Sequence, residues 1–202
     1  MSSIGGGNIS SGGGSSLMAF HHGGSTPSRR YYSCLTDAGN VNVDAPVSAN
    51  LITLFPFIGG GVLDEIGFRQ NAAGGAGTVV KLAVYQAASR LDLYPSALIA
   101  DSGNIAADGA NGAKTAIISP TLEDGVLYWL AFWASAAAGL RSHHIVPANQ
   151  YGIWGMDSNL LQNQPNSALS LALAYGAYPD PFTSGATLLR NVNVPMVFVH
   201  YL

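Results

Sequence analysis

The sequence predicts an all-β fold, an antiparallel β-sandwich or barrel, preceded by an extended Gly/Ser-rich N-terminal arm. Three observations predict it. Apolar runs of strand length recur from residue 31 to residue 202, and several alternate with period two. Clusters of Gly, Asn, Asp and Pro separate them, as turns between short strands require. Before residue 31 the texture differs: MSSIGGGNISSGGGSSLMAFHHGGST is dominated by Gly and Ser. Such a stretch buries too little to offset its own ordering entropy, so its shape is expected to come from contact with other molecules. The domain division is therefore an anchoring arm, 1–30, and a sandwich, 31–202, with a long loop region around 136–190.

The elements follow in order. YYSCLT (31–36) opens the sandwich, and LITLFPFI (51–58) is stopped by Gly59-Gly60-Gly61. In VLDEIGFRQN (62–71) Ile66 and Phe68 oppose Glu65, Gly67 and Arg69. In TVVKLAVYQ (78–86) Val80, Leu82 and Val84 oppose Lys81, Ala83 and Tyr85, the two faces of a half-buried strand. ALIADSGNIAA (97–107) contains a turn at Asp101-Ser102-Gly103-Asn104, and AKTAIIS (113–119) follows the turn at 108–112. VLYWLAFWAS (126–135) is the most apolar and aromatic run, which places it at the centre. Both its faces are apolar, so one meets the sandwich core and the other meets either a neighbouring subunit or this chain's own loop. SALSLALAYGAY (167–178) fits a strand or a short helix, because a short apolar run does not separate the two. Residues 146–165 read as a loop excursion. NVNVPMVFVHYL (191–202) closes the chain, and Pro195 marks an edge strand or a bulge there.

Composition narrows the function classes. Charged residues are 9% of the chain, against roughly 25% in an ordinary soluble protein, and the net charge is −3. A surface so poor in charge favours burial against copies or partners, although a neutral Ser/Thr/Asn/Gln surface is the alternative. No basic cluster exists beyond Arg29-Arg30, so no nucleic-acid partner is expected. Cys34 is the only cysteine, which excludes an internal disulfide and suits a small buried residue. A signal-peptide layout is lacking, and no apolar run approaches the ~20 residues that span a bilayer, so no membrane partner is expected.

The two glutamates are Glu65, on the polar face of a strand, and Glu123, in a turn beside Asp124. Asp101 and Asp108 also fall beside turn glycines, so no carboxylate pair of the glycosidase kind is evident. A nucleophile elbow is absent. His21-His22 and His143-His144 are adjacent pairs that point to opposite faces of a strand and suit one metal poorly. No catalytic residue, metal or cofactor is therefore expected. The binding candidates are Tyr151, Trp154, Tyr175 and Tyr178 in the loop-rich third, with Asp157, Asn159, Gln162 and Asn163 beside them. Exposed rings stack on sugars and anchor interfaces, while the alternative is that such a ring plugs the core. In the arm, Ile4, Ile9, Leu17, Met18 and Phe20 are the expected assembly anchors, or incidental hydrophobes of a plain linker.

One stretch, 62–134, resembles a known module. Leu82, Val84 and Tyr85 end a strand, Pro95 and Leu98 lead the next, and Asp101-Ser102-Gly103 make a turn. Leu122, Gly125, Tyr128, Trp129, Leu130 and Ala131 complete the set. Together these resemble the jelly-roll-like β-sandwich module of tailed-bacteriophage tail-fibre and other virion surface proteins. Arg90-Leu91-Asp92-Leu93-Tyr94 departs from the Gly-rich turn usual in that module. The resemblance implies a jelly-roll-like fold and a virion structural protein, a fibre or spike subunit made in the bacterial cytoplasm. It implies contact with other virion proteins through the arm, a homo-oligomer with a trimer favoured, and contact with host surface polysaccharide. A capsid decoration protein and a polysaccharide-degrading enzyme are the alternatives. It supplies no catalytic residue.

Overall fold

The computed structural model describes residues 31–33, 44–46, 49–143, 166–190 and 194–202. All regular structure among them is β, arranged as two antiparallel sheets packed face to face. The strands are β1 (Tyr31–Ser33), β2 (Asp44–Pro46), β3 (Leu51–Ile58), β4 (Gly61–Ala72), β5 (Val79–Ala87), β6 (Pro95–Asp101), β7 (Ile105–Ala106) and β8 (Gly112–Ile117). They continue as β9 (Thr121–Leu122), β10 (Leu127–Ala134), β11 (Gly139–His143), β12 (Asn166–Ala172), β13 (Thr187–Arg190), β14 (Val194–Pro195) and β15 (Val197–Tyr201). One sheet runs β1-β15-β4-β11-β14, with β8 and β9 also on β4 and β2 on β11. The other runs β13-β12-β3-β10-β5-β6, with β7 also on β5.

The β-sandwich expected from the sequence is thus the fold. β10 is central, paired with β3 from Leu127↔Ile58 and with β5 from Tyr128↔Gln86. Its two faces go to two different cores. Tyr128, Leu130 and Phe132 enter the core between the sheets with Phe55, Phe68, Leu82 and Val199. Trp129, Ala131 and Trp133 enter a second core on the outer face, with Ile52, Leu54, Tyr85, Tyr178 and Phe182. The cover there is this chain's own segment 173–186. β5 is likewise buried on both faces: Val80, Leu82 and Val84 lie inward, Ala83 and Tyr85 outward. The half-buried strand expected at 78–86 is corrected accordingly, because the strap over Ala83 and Tyr85 is distant in sequence.

Three other expectations resolve. The ambiguous run at 167–178 is strand up to Ala172, its register fixed by β3 from Leu169↔Leu54 to Ala172↔Leu51. Pro195 interrupts the last run: β14 lies on β11, Met196 separates it, and β15 joins β4 instead. A proline lacks the N–H that a central strand needs. The turn at 101–104 stands between β6 and β7, where the Asp101 carboxylate accepts from the Gly103 N–H at 2.8 Å. Cys34 and the loop 146–165 lie outside the described residues.

Antiparallel pairing gives the sandwich two distinguishable ends. β3 finishes, and β4 and β10 begin, at one end, where β5, β8 and β15 also finish. β1 starts there too, with Tyr31 opposite His200. Because the arm precedes Tyr31, this is the proximal end. The distal end carries the turns at 73–78 and 101–112, and the segment after Ala172.

Candidate functional site

The densest collection of aromatic and polar side chains among the described residues lies on the outer face of the β3–β10–β5 sheet, towards the distal end. Trp133 supplies its floor, packing at 5.3 Å from the rings of both Tyr175 and Tyr178. Tyr85 meets Tyr178 edge-on at 5.9 Å and Phe182 at 5.1 Å. The strap is stitched down by side-chain hydroxyls. Tyr178 donates to the Lys81 carbonyl at 3.0 Å, and Tyr85 donates to the Pro179 carbonyl at 2.8 Å. The Asp180 carboxylate accepts from the Leu98 N–H at 3.1 Å.

Tyr175 stands at the open side of this cluster and is half-buried. Its N–H donates to the Asn50 amide oxygen at 3.0 Å, and its hydroxyl donates to the Asn104 amide oxygen at 2.8 Å. Asn50 sits at φ +62°, a left-handed turn position that asparagine tolerates better than most residues. The Lys81 ammonium lies 5.6 Å from the Tyr175 ring centroid and donates to the Gly176 carbonyl at 2.7 Å. Asp101 acts on the whole group. Burial first, then the Asp101 charge, pushes the Tyr175 hydroxyl from 10.0 up to about 12. Burial drives Tyr85 and Tyr178 upward as well; Asp101 and then Asp180 add to it at Tyr85, and Tyr85 before Asp101 at Tyr178. These phenols are neutral donors at neutral pH.

Of the binding candidates read from the sequence, Tyr175 and Tyr178 fall together here, with different fates. Tyr175 keeps an accessible side. Tyr178 is 5% exposed, so the exposed ring expected at that position is corrected to a core residue. Burying both its ring and its hydroxyl against β5 leaves nothing to offer a ligand. Tyr151, Trp154, Asp157, Asn159, Gln162 and Asn163 lie outside the described residues, as do Ile4, Ile9, Leu17, Met18 and Phe20. Lys81, Asn50, Asn104, Asp101 and Asp180 were missed as site residues. The turn signal at 101–104 was legible; that the turn would meet Tyr175, 71 residues away from Asn104, was not.

The carboxylates can be placed. The Asp101 and Asp180 charges both add to burial in raising Tyr85, while their carboxylates accept from the Gly103 and Leu98 N–H groups respectively. Asp108 is spent on a turn, accepting from the Gly77 N–H at 2.8 Å. Asp64 pairs with His200 on the opposite sheet. Among the described residues, no group of three His, Cys, Asp or Glu side chains gathers as a metal site would require. Searches against family models, curated proteins and solved structures find no match to this chain.

Proposed function

We propose that this chain is a structural protein of a phage-like virion, a fibre or spike subunit. Its N-terminal arm anchors it to other virion proteins, and its distal end contacts host surface glycans. What supports this reading is the two-ended character of the sandwich. The arm joins at the proximal end, beside His200. The half-exposed Tyr175, with Asn104, Lys81 and Asp101 around it, sits towards the distal end. A ring edged by amide, ammonium and carboxylate groups is the combination that stacks on a sugar and hydrogen-bonds its hydroxyls. The resemblance of 62–134 to virion modules points the same way.

The test is deletion of residues 1–26. The expected outcome is a sandwich with unchanged circular dichroism and thermal unfolding that no longer enters particles. Normal incorporation of the truncated chain would end the anchoring reading. A full-length chain found at capsid lattice positions, with no glycan bound on an array, would be a decoration protein instead.

A further inference from the structure

We infer that the Tyr175 site takes uncharged sugar residues and turns acidic ones away, and that Asp101 sets this selectivity; this rests on the glycan-contact reading and names the sugar class within it. Two carboxamides bracket Tyr175. A backbone N–H can only donate, so the atom 3.0 Å from the Tyr175 nitrogen is the Asn50 oxygen, and the Asn50 Nδ2 is left over. At the far end of the side chain the Asn104 oxygen accepts from the Tyr175 hydroxyl at 2.8 Å, which leaves the Asn104 Nδ2 over as well. Both asparagines are exposed, and among the described residues neither Nδ2 has a partner. Both residues are held in place. The Asn50 carbonyl accepts from the Leu173 N–H at 3.0 Å. The Ser102 hydroxyl accepts from the Leu82 N–H at 2.8 Å, fixing to β5 the turn that carries Asn104. Donors fixed in advance lose little entropy on meeting a sugar oxygen.

The charges of the site are placed unequally. The Lys81 ammonium is half-buried, donates to the Gly176 carbonyl at 2.7 Å and lies 5.6 Å from the Tyr175 ring centroid, so it is turned onto the strap. Asp101 is exposed. One of its oxygens accepts from the Gly103 N–H at 2.8 Å, and among the described residues nothing donates to the other. That open oxygen can accept from a sugar hydroxyl while the two Nδ2 groups donate to its neighbours, a pairing that an uncharged sugar satisfies. A uronate or sialate would bring its own carboxylate beside Asp101, and like charges so placed suppress binding. The Asp101 charge reaches across the platform: after burial, the largest cause, it contributes to the raised hydroxyls of Tyr175, Tyr85 and Tyr178. Asp180 adds the same sign at Tyr85. Selectivity then comes from one repulsive group set among attractive ones.

The test titrates the full-length protein in a calorimeter with two kinds of soluble oligosaccharide, neutral ones of hexose and N-acetylhexosamine and matched ones carrying a uronate. Neutral glycans are expected to bind at least roughly tenfold more tightly than uronate-bearing ones. Asp101→Asn should cut that ratio by roughly tenfold, and its amide oxygen can still accept from the Gly103 N–H. Asn50→Asp and Asn104→Asp keep the oxygen that tethers Tyr175 and remove the Nδ2, so affinity for neutral glycans should fall by roughly tenfold while the urea midpoint stays at the wild-type value. A tether alone would leave binding where it was. Uronate-bearing glycans bound as tightly as neutral ones, or a ratio that Asp101→Asn leaves alone, would overturn the selectivity and leave the glycan-contact reading intact. Binding of neither kind would end the glycan-contact reading and the selectivity with it.

Discussion

Replacing Tyr178 separates a strap that covers the sheet from a loop that merely rests near it. The ring is 5% exposed, packs edge-on against Tyr85, and lies 5.3 Å from Trp133. Its hydroxyl donates to the Lys81 carbonyl at 3.0 Å. Tyr178→Phe removes one partly buried hydrogen bond and keeps the ring, a loss of about 1 kcal/mol. Tyr178→Ala also removes the ring and leaves a cavity over Trp133, which costs about 3–5 kcal/mol. For a domain of this size about 1 kcal/mol corresponds to roughly 2–4 °C in Tm, so the alanine variant should melt on the order of 10 °C lower. Urea unfolding should show a lower midpoint with unchanged slope for both variants. An alanine variant within about 1 kcal/mol of wild type, or one that lost glycan binding with full stability, would show that the ring faces solvent.

Three further outcomes follow from the same geometry. Gly67→Ala would put a Cβ 2.6 Å from both the Lys114 carbonyl oxygen and the Phe198 ring, and backbone oxygen cannot step aside; a loss of about 1–3 kcal/mol is expected in urea unfolding. Tyr85, Tyr175 and Tyr178 hold their protons more tightly folded than unfolded, so their contribution is complete below pH 10.0 and is lost as pH rises through the folded values, about 12 for Tyr175. Denaturation midpoints should therefore fall above pH 10.0 together with the rise of tyrosinate absorbance, and Tyr85→Phe should flatten that fall; a flat profile would contradict the burial. Tyr175→Ala should cut glycan-array binding and, because the ring packs on Trp133 and its hydroxyl bonds Asn104, also lower stability by about 1–3 kcal/mol in urea unfolding; unchanged binding would remove Tyr175 from the site.

Much of the sandwich was legible because its strands carry their own signals. β3 has the bounds read from the sequence, Leu51–Ile58, since Gly59 and Gly60 leave no doubt where the strand stops. The apolar and aromatic character of 126–135 points to a central strand, and β10 does lie between β3 and β5. The second core was not legible. Lys81 broke the apolar pattern of β5, and nothing local says that residues from the strap will bury Ala83 and Tyr85. The strap itself, AYGAYPDPF, reads as turn chemistry, and its burial comes from partners more than 90 residues away in the chain. The site failed to show for the same reason. Asp101 and Asn104 are turn formers by local logic, and Asp101 does form that turn. Their meeting with Tyr175 is set by the pairing of β5 with β6 and β7 and of β12 with β3, which no single segment encodes.

A cryo-EM map of this chain within its particle tests most directly whether it is a building part with two unlike ends. The expected map has the Tyr31 end facing inward, against the particle, with Tyr175 pointing outward. A map with Tyr175 buried against the particle, or a protein found only as a free monomer outside it, would contradict that assignment.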